Sequence, residues 1–302
     1  MPDGSLASRL GGVLLPITTP FDPVTGEAAP VAFRDNLRRW TAEPIDGIVL
    51  FGSTGEGALL DEEEKVRLTA FAREVVPAGL PLIGGVGAES TRSAVRQARS
   101  LGDAGVDAVL VHPPPYFGAG LSAAALRDHY RAVADAAPVP VIVYHIPKYT
   151  HVTLEPGLVA ELTRHPNVVG LKDSSGDLKR FADYTDACPR SCRLFVGNGT
   201  LVFAALELGA AGGILAIADL APAQCAELVR LFRDGRKQEA GELQERLAKL
   251  HREVVAAFGA VGVKTGLDRI GYTGGPPRPP LRPLPEKETR QVARVMQQAG
   301  LR

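Results

Sequence analysis

A (β/α)₈ barrel of the TIM type with a C-terminal helical extension is the fold this 302-residue sequence predicts, on three observations. Eight short apolar runs recur as far as about Gly235, each followed by a helix-like amphipathic stretch. The runs are near-continuously apolar, as strands buried on both faces are. No glycine-rich turn has the dinucleotide spacing: in GGVGAE (84–89) the next residue is Ser90 where a last glycine should stand, which disfavours an open doubly wound sheet. Eight right-handed βα units close naturally into a barrel.

The units follow in order. Residues 12–18 (GVLLPIT) precede a helical stretch over 31–40, and residues 47–52 (GIVLFG) precede a helix for which Asp61 and Glu64 supply an N-cap and capping box. Residues 80–86 lead to a helix capped by Ser90, and residues 107–112 lead through a proline loop to a helix over 122–136. Residues 139–147 give way to a short helix from Glu155, and residues 167–172 to one beginning near Asp177. Residues 193–198 precede a helix over 200–208, and residues 212–218 one starting near Pro222. After about Gly235 the rhythm changes to one long amphipathic helix (236–258), a proline-rich segment (274–285) and a last helix. The expected division is a catalytic barrel over 1–235 and a helical appendage over 236–302.

Composition narrows the function. Lys+Arg and Asp+Glu balance at 34 each, so nothing points to nucleic acid or an anionic membrane, and a small-molecule partner is expected. Cys188, Cys192 and Cys225 form no CxxC and have no histidine pair nearby, which argues against a disulfide framework and a structural zinc site. The N-terminal apolar run is too short for a signal peptide, and no run approaches the roughly 18 apolar residues of a membrane span. A reduced, cytoplasmic protein is the expectation.

In such a barrel the chemistry sits at the C-terminal ends of the strands. Two residues closing apolar runs stand out there, Tyr144 and Lys172. Strand alternation puts Val168, Gly170 and Lys172 on one face, with Ile142 and Tyr144 matching them on the neighbouring strand. Adjacent strands lie roughly 4.8 Å apart, so a phenol and an amine at one height can work on one substrate atom. Burial in a barrel mouth disfavours a lysine's charged form and frees an amine to attack a carbonyl. A solvated lysine at a strand end, its stem over apolar neighbours, is the other reading of Lys172, and position alone leaves both open. Tyr144 taken alone reads as a core-edge tyrosine.

The loop FGSTGEG (51–57) offers backbone N–H groups and the hydroxyls of Ser53 and Thr54, which suits a carboxylate or phosphate, though a tight structural turn explains the glycines equally. Glu56 is expected to accept hydrogen bonds from loop N–H groups. His112 and His145 end strands and read as edge histidines that could face the mouth. The run DEEEK (61–65) reads as a solvated helix N-terminus.

GSTGE (52–56), YHIP (144–147) and GLKDSSGD (170–177), with the tail GYTGGPPRPPLRPL (271–284), resemble in order the signatures of the dihydrodipicolinate synthase/N-acetylneuraminate lyase family of Schiff-base-forming pyruvate aldolases. The resemblance implies that Lys172 forms a Schiff base with the keto carbon of pyruvate or a related 2-oxo acid. It implies that Tyr144 shuttles protons, that Ser53 and Thr54, beside Gly52, hold the pyruvate carboxylate, and that Ser53 joins the proton relay. Ile214 sits where a backbone carbonyl contacts the keto acid, and Tyr116 lies in a loop bringing aromatics to a subunit interface. A homotetramer built from dimers follows by the same resemblance, as does the need for no metal or organic cofactor.

Departures from the pattern bear on the substrate. Synthases that condense pyruvate with aspartate semialdehyde typically carry an arginine where this chain has Tyr149, after Lys148; His145 replaces the commoner asparagine, and Phe117 follows Tyr116 where a second tyrosine is usual. Ser174 and Tyr149 are the positions expected to face the second substrate. The sequence therefore favours a lyase acting on 4-hydroxy-2-oxoglutarate or a 2-keto-3-deoxy sugar acid. The dihydrodipicolinate synthase reaction and a same-family dehydratase are the alternatives, ahead of a binding barrel without activity or a pyridoxal phosphate enzyme.

Overall fold

Eight parallel strands close on themselves in sequence order in the computed structural model, which describes residues 6–301. They are β1 (Gly12–Pro16), β2 (Gly47–Leu50), β3 (Leu82–Val86), β4 (Ala108–Val111), β5 (Val141–His145), β6 (Val168–Asp173), β7 (Arg193–Val196) and β8 (Gly212–Ile214). Closure runs through Gly12↔Gly212 and Val13↔Gly213, where a Cβ on Gly212 would stand 1.9 Å from the Gly12 carbonyl oxygen. Only a glycine lets the first and last strands approach so closely.

Alternation divides the core into two layers. Leu14, Val49, Ile83, Leu110, Ile142 and Ile214 fill the barrel interior, while Val13, Ile48, Val109, Val143 and Leu171 face the surrounding helices. In β1, β2, β4, β5, β7 and β8 the last residues of the apolar run leave the ladder toward the mouth, whereas β3 and β6 stay paired to the end of theirs. After β8 the chain turns at once into a 3₁₀ turn, Ala216–Asp219, where the sequence led us to expect strand as far as residue 218.

Capping at Asp61 and Ser90 is as read from the sequence, and Ser122 and Asp177 repeat it. Asp61 accepts from the Glu64 N–H and closes a capping box on the helix Glu62–Val75, and Ser90, Ser122 and Asp177 each accept from the N–H three residues on. The expected single helix over 236–258 is interrupted. Lys237–Leu250 runs into a π-helical turn, His251–Ala256, and the following Ala257–Leu267 breaks at Gly259, whose φ of 58° and ψ of −142° are non-helical.

β6 departs from simple alternation. Val141 pairs with Val168, yet the next residue, Ile142, pairs with Gly170, so β6 carries one extra residue in a β-bulge. Val168 therefore faces the helices, Val169 packs on the interior cluster, and the upper strand resumes with Leu171 outward and Lys172 inward. The expected common face of Val168, Gly170 and Lys172 thus fails at Val168, while the inward phase of Lys172 holds.

The C-terminal segment grips the barrel mouth through buried ions. Lys264 Nζ lies 2.5 Å from Glu56 Oε1 and donates to the Pro276 carbonyl at 2.9 Å. Arg278 donates through two guanidinium nitrogens to the two Glu64 oxygens at 2.6 Å each, and its backbone N–H donates to Glu56 Oε2 at 2.9 Å. Glu56 does serve as a structural acceptor, but its partners come from the far end of the chain rather than from its own loop.

Two buried histidines make the fold acid-sensitive. Burial pushes His129 and His251 down to about 4, with the Arg252 charge adding to the effect at His251. Since both must be neutral in the folded state, their contribution is fully present above the ordinary histidine value near 6.5 and is lost as pH falls through about 4. A displacement of that size is worth about 3 kcal/mol per group. Urea midpoints are expected to fall steadily from pH 6.5 to 4, and His129→Gln should flatten that slope.

Candidate active site

β5 and β6 place Tyr144 and Lys172 as direct cross-strand partners, both pointing into the barrel and each 4% exposed. The Lys172 Nζ stands 4.2 Å from the centre of the Tyr144 ring, in cation–π contact. No hydrogen bond or ion pair holds that nitrogen among the described residues. An amine with no carboxylate competing for it is available to a carbonyl carbon.

Above the pair opens a cavity of about 670 Å³ whose wall includes Gly52, Ser53, Tyr144, Tyr149, His112 and Phe258. Lys172 is not part of the wall, and reaches it beside the Tyr144 ring. Ser53 is exposed on the wall; Thr54 is half-buried and off it.

The 51–57 loop is held in an unusual shape. Phe51 and Glu56 both adopt left-handed backbone angles, with φ of 57° and 54°, and a Cβ on Gly57 would lie 1.9 Å from the Phe51 oxygen. Such conformations persist only where surroundings over-determine them, and they gather at ligand sites. Thr19 Oγ1 donates to the Gly55 carbonyl at 2.8 Å, and Gly57 N–H donates to Gly52 O at 3.1 Å. The backbone N–H groups of Ser53, Thr54 and Gly55 have no acceptor among the described residues, so this turn can receive a small anion.

Tyr149 sits on the wall in the short helix Pro147–Thr150, with its phenol near Gly259 at the break in the C-terminal helix. Burial, and then the neighbouring Tyr144, hold its hydroxyl above the ordinary phenol value. Three other residues named from the sequence stay off the wall. Ile214 closes β8 in the interior, Ser174 donates its N–H to the His145 carbonyl at 2.8 Å, and Tyr116 is 79% exposed, packed edge-on against Phe117.

One wall residue escaped sequence reasoning, and one strand-end histidine does face the mouth. Lys65 is only 5% exposed and not on a solvated helix face, and burial pushes it down to about 8. The signal was available, because Lys65, Leu68, Thr69 and Ala72 share one buried helical stripe. His112 lies with Nδ1 2.9 Å from the Pro113 carbonyl, so Nδ1–H donates and the neutral ring offers Nε2 as an acceptor beside Gly87. His145, by contrast, faces away from the mouth, because it alternates with Tyr144, and bonds to Asp173 outside the barrel. No group of three or more His, Cys, Asp or Glu able to hold a metal occurs among the described residues, and no helix of these is long and apolar enough to cross a membrane.

Comparison with known proteins places these features. The model of the dihydrodipicolinate synthetase family matches residues 9–299. A 4-hydroxy-tetrahydrodipicolinate synthase from Syntrophus aciditrophicus is 34% identical over 96% of this chain and 98% of its own length. Among solved structures, dihydrodipicolinate synthase DapA-2 from Bacillus anthracis superposes with a TM-score of 0.91 at 28% identity, covering 95% of this chain and 97% of its own. YagE, a prophage protein of the dihydrodipicolinic acid synthase family from E. coli K12 solved in complex with pyruvate, gives a TM-score of 0.91 at 25% identity, covering 97% and 99%.

Proposed function

Because the chain belongs to the dihydrodipicolinate synthetase family and is a lyase of its Schiff-base type, we propose that it cleaves a 2-oxo acid such as 4-hydroxy-2-oxoglutarate or a 2-keto-3-deoxy sugar acid to pyruvate and an aldehyde. The Lys172 amine adds to the keto carbon and water leaves, giving an iminium that withdraws electrons from the adjacent carbon. Tyr144 relays the proton of the substrate's 4-hydroxyl, accepting it as its own phenolic proton passes to Ser53, while the C3–C4 bond breaks; the aldehyde departs and the bond's electrons remain as an enamine. Protonation at C3 and addition of water return pyruvate and the free amine. The free N–H groups at Ser53 and Thr54, with both hydroxyls and the Gly52 turn, hold the carboxylate, while Ile214 contributes its carbonyl. Tyr149, on the wall, and Ser174, off it, are assigned to the aldehyde portion, and Tyr116 to a subunit interface in a homotetramer.

The observation that carries the choice of substrate is Tyr149. A neutral phenol occupies the wall position where synthases carry an arginine, which suits a hydroxylated chain better than the carboxylate of aspartate semialdehyde. The synthase reaction is the second reading, favoured by the names of the curated relatives. Pyruvate release from the two hydroxy-keto acids, measured beside condensation of pyruvate with aspartate semialdehyde, decides between them. Cleavage is expected to exceed condensation at least about tenfold in kcat/KM, a difference of about 1.4 kcal/mol in transition-state binding. Efficient condensation without cleavage overturns the lyase reading.

A further inference from the structure

Directly behind the reacting pair, on the outer face of the same two strands, lies a second pair. His145 and Asp173 follow Tyr144 and Lys172 in the chain and are themselves cross-strand partners one step higher. Alternation turns them outward, and His145 Nδ1 lies 2.7 Å from Asp173 Oδ1 with the side chains 0% and 3% exposed. Because Asp173 is the acceptor, Nδ1 is the protonated nitrogen.

Everything around this bond holds it in place. Asp173 Oδ1 also accepts from the Ser175 N–H at 3.1 Å, and Oδ2 from the Ser175 hydroxyl at 2.8 Å. Tyr184, from the helix Leu178–Ala187, donates its hydroxyl to the Leu154 carbonyl at 2.5 Å and lies 3.1 Å from His145 Nδ1. Burial and then the Asp173 charge push that phenol up, so it stays a donor. The backbones are pinned as well: Ser174 N–H donates to the His145 carbonyl at 2.8 Å and Gly197 N–H to the Asp173 carbonyl at 2.7 Å.

Consecutive Cα atoms are 3.8 Å apart, so any tilt or slip of either strand end at residues 145 and 173 is transmitted to the residue before it. We propose that His145 is a positioning residue: through its buried bond to Asp173 it locks β5 and β6 at one height, so that the Tyr144 phenol and the Lys172 amine meet the same substrate. The inference rests on the Schiff-base reading of those two residues. His145 touches no substrate and moves no proton.

The test compares His145→Leu, which removes the donor, with His145→Asn, whose amide nitrogen can reach the place of Nδ1. Misplacement of reacting groups by about 1 Å costs up to about 10²-fold in rate, so kcat of H145L is expected to fall about 10- to 100-fold. KM for the keto acid should stay within about twofold, because the 51–57 anion turn is untouched. H145N is expected to recover kcat to within a few-fold of the parent, and Tyr184→Phe, which leaves the His–Asp bond intact, to stay there too. Should H145L fail to fold, Asp173→Asn carries the same expectation of lowered kcat at constant KM. Unchanged kcat in the folded variant, or H145N as slow as H145L, overturns the positioning role. Absence of a borohydride-trapped pyruvate adduct in the parent protein would instead overturn the Schiff-base reading beneath it.

Discussion

Lys172→Met is expected to yield a folded barrel that forms no borohydride-trapped pyruvate adduct and turns over about 10⁶-fold more slowly, the scale of losing an enzyme's nucleophile. The substitution removes a nitrogen that, among the described residues, makes no hydrogen bond or ion pair and lies against the Tyr144 ring, so folding should not suffer. Peptide mass mapping of the parent should place the adduct at Lys172. Lys65, on the cavity wall and pushed down to about 8 by burial, is the internal control, since it too is a lysine beside the cavity. Labelling at Lys65 with none at Lys172 would refute the assignment. Tyr144→Phe separates two roles in the same experiment. It keeps the ring that meets the Lys172 nitrogen and deletes the hydroxyl, so turnover should drop by about 10²–10⁴, the usual worth of a general acid–base group. Undiminished turnover would show that the ring alone matters.

The second large effect concerns stability. Removing one partner of a buried ion pair leaves the other charge uncompensated and typically costs about 3–5 kcal/mol. Lys264→Met leaves Glu56 so stranded, with only the Arg278 N–H still donating to it, and should lower the urea midpoint by that order. The double variant Glu56→Gln/Lys264→Met should recover most of the loss, because neutral groups of similar shape need no counter-ion. No recovery in the double variant would mean that packing rather than charge makes the contact. Glu56 also anchors the left-handed end of the 51–57 turn, so the single variant is expected to raise KM for pyruvate as well. We propose on the same grounds that residues 236–302 cannot be removed to leave a working barrel: Glu56 and Glu64 would lose Lys264 and Arg278 together.

What the sequence disclosed follows from what periodicity can encode. Eight apolar runs and their capping residues are local signals, and they located every strand and most helix starts. Tyr144 and Lys172 were legible because each closes such a run and alternation sets its direction. The bulge in β6 was not, since an extra residue is visible only against the register of β5. Nor were the partners of Glu56, which lie more than 200 residues away, Lys264 in the helix Ala257–Leu267 and Arg278 in a proline-rich segment with no periodicity of its own. His145 is hidden for a simpler reason: its place at a strand end says nothing of direction, and it is parity that turns it to the face away from Tyr144. Lys65 was judged by the charges beside it in the chain rather than by the buried stripe three and four residues on.

The extra residue in β6 has a consequence for how this chain tolerates changes of length. Above the bulge, Lys172 takes its height from its neighbours across the sheet, Tyr144 on one side and Phe195 on the other. Below it, Val168 packs toward the helices and Val169 toward the barrel floor. Loss of Val169 would leave Val168 beside Val141 and Gly170 beside Ile142, an unbroken ladder whose upper half has not moved. The strand thus has a slack point at its base, where insertions and deletions can come and go while the amine at its tip stays where it is.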